Sequence, residues 1–120
     1  MSVAKNSWSI EYYGPPNGDI SPVAVFIEKL PEKAQAKLSN IFDLLKEFGS
    51  QVGPPHIKKL VGLPLWEIRI LGQHSARILY IIPKSETFLL LHGFIKKKQK
   101  TPRREINIAI SRLNEYKSRL

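Results

Sequence analysis

Residues 65–95 read LWEIRILGQHSARILYIIPKSETFLLLHGFI, and this stretch decides the fold. It holds three runs rich in β-branched and aromatic residues, at 65–71, 76–82 and 87–95. Gly72-Gln73-His74 and Pro83-Lys84-Ser85-Glu86 separate them, and connections this short join antiparallel neighbours. The spacing predicts a three-strand meander. Strand alternation sets Trp66, Ile68 and Ile70 on one face, with Glu67 and Arg69 on the other. In the second run Ile78, Tyr80 and Ile82 oppose Arg77, Leu79 and Ile81.

Upstream, residues 8–13 (WSIEYY) form a further strand, stopped by the turn residues Gly14-Pro15-Pro16-Asn17-Gly18. Asp19 or Ser21 then caps a helix with Pro22 in its first turn. Pro31 breaks that helix or opens the next. Leu38, Ile41, Phe42, Leu45 and Phe48 recur at three- and four-residue spacing, one apolar helical face, and Gly49 is placed to end it. Residues 52–56 are a linker that delivers Lys58, Lys59 and Leu60 to the sheet. Beyond the meander, Thr101 is a candidate N-cap and Pro102 a helix-starting proline. Ile106, Ala109, Ile110, Leu113 and Tyr116 mark the face of a last helix. The fold class is α+β: a small, curved, mainly antiparallel sheet of an N-terminal strand and a three-strand meander. Two N-terminal helices and a C-terminal helix pack on it.

The 120 residues, 42% of them apolar, suit one domain spanning residues 1–120. Charges interrupt every apolar stretch before membrane-spanning length, and the first residues lack the apolar core of a signal peptide. Cysteine is absent, which excludes disulfides and thiolate chemistry. The three His, at 56, 74 and 92, are not spaced as a zinc site. A cytoplasmic protein with no metal, no cofactor and no membrane partner is the expectation.

Charge is unevenly placed. Residues 1–50 carry five Lys/Arg against six Asp/Glu, and residues 51–120 carry fourteen against four, for a net charge of +9. A basic excess in one half suits a polyanion. Six cations fall within residues 96–104: Lys96, Lys97, Lys98, Lys100, Arg103 and Arg104. This run leaves a strand end and enters a helix start, where side chains and helix N-terminal amides together suit RNA phosphates.

Arg77 stands within an apolar strand, where a guanidinium needs an anionic ligand or a partner. Bidentate stabilisation of a phosphate meets that need, and so does a salt bridge to Glu67. Arg69 suits a flanking phosphate, or pairs with Glu67 or Glu86. Lys59, beside Lys58, is a candidate general base if neighbouring cations lower its pKa. His92 is the only imidazole within a strand, suited to proton transfer or to a hydrogen-bonded place in the core. Tyr80 has the parity of a core residue.

The chain resembles the HigB-like branch of the RelE/ParE toxin superfamily, including its phage-derived relatives. The resemblance rests on Ile57-Lys58-Lys59-Leu60, Leu65-Trp66-Glu67-Ile68-Arg69 and Ala76-Arg77-Ile78-Leu79-Tyr80. It rests most on Leu91-His92-Gly93-Phe94-Ile95-Lys96-Lys97, running into Gln99-Lys100-Thr101-Pro102 and Glu105-Ile106. It implies a toxin of a type II toxin–antitoxin system, an mRNA interferase that cleaves messenger RNA in the ribosomal A site and blocks translation. It implies neutralisation by a separate, HigA-like helix-turn-helix antitoxin. Arg77, Arg69, Lys59, His92 and Lys96 are then the catalytic candidates. Lys58, Lys97, Lys98, Lys100, Arg103 and Arg104 are the RNA-binding ones. Two alternatives stay open: a ParE-like inhibitor of DNA gyrase, and a non-catalytic nucleic-acid-binding regulator. The absence of a helix-turn-helix pattern disfavours the regulator.

Overall fold

The computed structural model describes residues 7–72, 75–97 and 99–120. In chain order the elements are β1 (Ser9–Tyr12), α1 (Pro22–Glu28), α2 (Glu32–Phe48), β2 (Ile57–Lys59), β3 (Trp66–Ile70), β4 (Ala76–Lys84), β5 (Thr87–Ile95) and α3 (Arg103–Ser118). One open sheet runs β1-β5-β4-β3-β2. Its pairings are antiparallel except for β1, which lies parallel to β5. This is the α+β architecture expected, with one strand more: Lys58 and Lys59 lie inside the short edge strand β2.

Local chemistry sets the helix ends. Ser21 is the cap of α1, its hydroxyl accepting from the Val23 and Ala24 amides at 3.2 and 3.3 Å. Pro31 separates α1 from α2, and the Gln35 side-chain amide donates to the Glu28 and Leu30 carbonyls left open at the end of α1. α2 stops at Gly49, whose φ of 61° no side-chain-bearing residue adopts readily.

The sheet has a core on each face. α1 and α2 bury Val23, Leu38, Ile41 and Leu45 against Ile68, Ile70, Ile78, Tyr80, Phe88 and Leu90. α3 buries Ala109 and Leu113 against Leu79, Ile81, Leu89, Leu91 and Phe94. Coverage on both faces explains why β4 and β5 are nearly continuous apolar runs. Two residues depart from the periodicity. Phe48 ends α2 at 48% exposure and Ile82 lies at 36%, since neither core reaches the end of its element. The β4–β5 turn is also tighter than expected, because β4 continues through Pro83 and Lys84. The ladder is irregular between Ile81 and Lys84, where a proline removes no regular pairing.

A second irregularity shapes the functional face. Leu79 pairs with His92 while Tyr80 pairs with Leu90, so Leu91 is an extra residue, a β-bulge. The bulge reverses the alternation of β5. Leu90 faces the α1/α2 core, whereas His92 and Phe94 stack beside α3 with ring centroids 5.7 Å apart.

Candidate nucleic-acid interface

The α3-facing side of β2, β3 and β4 gathers charge. Lys58 pairs in register with Glu67, and Arg69 with Arg77. Glu67 is fully buried and Arg77 is 5% exposed. Arg77 Nε lies 3.5 Å from Glu67 Oε1, so the expected ion pair is present. It is not an aligned hydrogen bond: both atoms are buried without a hydrogen-bond partner, as is Arg69 Nε. Arg77 Nη1 donates to the Ala76 carbonyl at 3.0 Å. Burial works against the Arg77 charge, Glu67 supports it, and Arg69 opposes it.

Lys96 joins this group from the end of β5, where its amide donates to the Ser75 carbonyl at 2.8 Å. Burial holds the Lys96 ammonium below its ordinary pKa. Arg77, Lys58 and Arg69 lower it further, against the support of Glu67. It is therefore Lys96, rather than Lys59, that sits among crowding cations. Lys59 points elsewhere: its ammonium lies 5.8 Å over the Trp66 ring and donates to the Leu60 and Leu63 carbonyls. Alternation within β2 separates it from Lys58.

Next to this group a cleft of about 580 Å³ opens between the 60–63 turn and the start of α3. Lys58, Lys96, Lys100 and Arg103 line it, with Leu60, Leu63 and Ile106 as apolar walls. Pro102, not Thr101, is the N-cap residue of α3, and no side chain caps the helix. The Thr101 hydroxyl, one residue before the N-cap, donates to Glu67 Oε2 at 2.8 Å and supplies the buried carboxylate with a hydrogen-bond donor. Arg103 and Arg104 occupy the first turn of α3, where the helix dipole disfavours cations. Arg103 faces the cleft, while Arg104 lies on a shallow groove with Asn107, Ser111 and Arg112. Lys97 is exposed, and Lys98 lies outside the described residues, as do Gln73 and His74.

His92 is occupied. Its Nε2 lies 2.7 Å from Glu105 Oε1 and Arg112 Nη1 lies 3.4 Å from its Nδ1, so it ties β5 to α3. Burial holds its pKa below the ordinary value, Arg112 and Arg104 assisting and Glu105 opposing. Tyr80 is buried edge-on to Phe88, and burial pushes its hydroxyl pKa strongly upward. Tyr116 packs against the α3-side core. Among the described residues, no group of three or more His, Asp or Glu side chains is placed to hold a metal ion. No helix of the described residues is long and apolar enough to cross a membrane. The sequence did not single out Thr101 as a partner of Glu67. The available signal was an acid flanked by Trp66 and Ile68 in a strand, which requires a donor from elsewhere.

The fold and site together define a small α+β protein with a cationic cleft between a sheet edge and a helix start. The chain belongs to the phage-derived Gp49-like protein family, whose profile matches residues 25–114. That span contains the whole cleft and leaves out β1. The chain is also similar to one in the crystal structure of the heterotetrameric YoeB–YefM toxin–antitoxin complex from Staphylococcus aureus. The identity is 15% and the TM-score 0.47, over 69% of this chain and 90% of that one. No curated protein matches it in sequence.

Proposed function

We propose that this protein is the toxin of a type II toxin–antitoxin system, a HigB-like, ribosome-dependent endoribonuclease of the cytoplasm held in check by a separate antitoxin. The observation that carries this reading is the clustering of Lys58, Arg69 and Arg77, from three neighbouring strands, with Lys96 at the end of a fourth. RNA supplies its own nucleophile. Its 2′-oxygen attacks the adjacent phosphorus, the bond from phosphorus to the 5′-oxygen breaks, and a 2′,3′-cyclic phosphate and a 5′-hydroxyl result. The protein must move one proton from the 2′-hydroxyl, return one to the 5′-oxygen, and offset charge on the phosphoryl oxygens between. Arg77 and Arg69 suit the last task, and Lys96, whose pKa burial and the neighbouring cations lower, suits proton transfer. Membership of a phage-derived family and the resemblance of the 91–106 segment to HigB-like toxins support the same reading.

The test maps mRNA 5′ ends on programmed ribosomes with and without the purified protein. New ends within the A-site codon are expected. Intact RNA together with blocked supercoiling by gyrase would move the chain to the ParE-like class, and RNA binding without either effect would make it a regulator.

A further inference from the structure

The cations of the cleft come from two separate segments. Lys58 stands on β2, with Arg69 and Arg77 beside the cleft on β3 and β4, whereas Lys96, Lys100 and Arg103 come from the β5–α3 connection and the first turn of α3. Like charges on facing segments repel, so something must hold the two together. Glu67 is the one buried acid among the described residues. Its two oxygens divide between the segments: Oε1 lies 3.5 Å from Arg77 Nε on the sheet, and Oε2 accepts from the Thr101 hydroxyl at 2.8 Å on the connection.

We propose that Glu67 is the positioning residue of the cleft, and that the Thr101–Glu67 hydrogen bond is the tie that holds the cationic connection against the strand-borne arginines. The effect on cleavage rests on the nuclease reading above; the tie itself does not. A hydrogen bond from a hydroxyl to a carboxylate is stronger than a neutral one, and Thr101 stands one residue before the N-cap Pro102, free of any capping role. The 3.5 Å approach to Arg77 balances charge while leaving the buried guanidinium Nε without an aligned bond to the carboxylate.

Three variants of the full chain separate the two halves of this role. Thr101→Val removes the donor at nearly constant volume. Tryptic cutting within residues 96–101 of the folded protein should then accelerate roughly tenfold or more, the scale of one lost hydrogen bond to a charged group. Thr101→Ser keeps the hydroxyl and should restore the wild-type cutting rate. Glu67→Gln keeps an acceptor for Thr101 but not the charge beside Arg77. It should leave the connection protected while lowering single-turnover cleavage roughly tenfold at saturating ribosomes, with ribosome affinity unchanged. Wild-type cutting of Thr101→Val, or a Thr101→Ser variant cut as fast as Thr101→Val, overturns the tie. If Glu67→Gln does not fold, the two threonine variants still decide the matter. Should the wild-type protein cleave no RNA, the nuclease reading fails while tryptic cutting continues to judge the tie alone.

Discussion

Arg69 and Arg77 stand directly opposite each other on neighbouring strands, a like-charge pair that a β-ladder ordinarily avoids. One buried carboxylate, Glu67, supports the charges of both Arg77 and Lys96. Arg77→Ala strands that carboxylate and should cost about 3–5 kcal/mol, read by denaturant unfolding. Arg77→Lys keeps the charge without the planar fork. It should stay folded and lose roughly 10²-fold in single-turnover cleavage, on the scale of one preorganised donor. Near-normal cleavage by Arg77→Lys would remove Arg77 from the chemistry and leave Arg69 and Lys96. His92 makes a separate prediction. Its folded pKa lies below the unfolded value of about 6.5, so the unfolded state binds its proton first as pH falls. The stability it contributes is complete above about pH 6.5 and is lost as pH drops through the folded pKa. The Tm of the wild type should therefore fall between about pH 7 and 5.5 more than that of His92→Gln. Parallel Tm curves for the two would dismiss the effect.

At the scale of elements, two glycines fix how helices meet the sheet. Gly49 ends α2 at a φ of 61°, and a methyl group there would lie 2.2 Å from Trp8 Nε1. Trp8 in turn packs on Phe88 with ring centroids 4.8 Å apart. Gly93 lets α1 approach β5, since its methyl group would lie 2.3 Å from Phe26 Cδ2. Gly49→Ala meets both backbone strain and crowding, each worth about 1–3 kcal/mol, whereas Gly93→Ala meets crowding alone. Urea midpoints should fall for both, further for Gly49→Ala, with unchanged m values. The role of Gly49 was legible from the apolar face that stops before it. That of Gly93 was not, because the bulge at Leu91 decides which residues of β5 face α1.

Across the whole molecule, the basic half of the sequence becomes a cleft rather than a uniformly charged surface. Lys58 and Arg103 lie 45 positions apart in sequence and line one opening. Charge reversal of Lys97, Lys98 and Lys100 to Glu should weaken ribosome binding and flatten the slope of log K against log salt by roughly one to two. Unchanged co-sedimentation across a salt series would leave the run a solvated face. On the proposed nuclease reading, an open cleft leaves the ordering of the substrate to the ribosome. Cleavage of programmed ribosomes should exceed that of naked mRNA by at least roughly 10²-fold at equal protein concentration. Equal rates on both would argue against ribosome dependence.

The sequence by itself determined every element except β2, most of their buried faces and the basic half, because periodicity, caps and turn residues act over a few positions. It determined that Arg77 needs an anionic ligand or a partner, and left a phosphate and Glu67 both open. The tertiary structure alone decided which cations converge. Lys58 and Lys59 are adjacent and chemically alike, yet alternation within β2, unrecognised as a strand, sends one to the cleft and the other over Trp66. Local rules make Thr101 a cap, since they see only its neighbours, whereas in the fold its hydroxyl donates to a buried carboxylate 34 positions away. His92 turns toward α3 through a bulge that no alternation pattern displays. In each case the deciding quantity is strand register or the burial of a distant polar group. Both are fixed by the packing of two cores on one sheet, which exists only once the chain has folded.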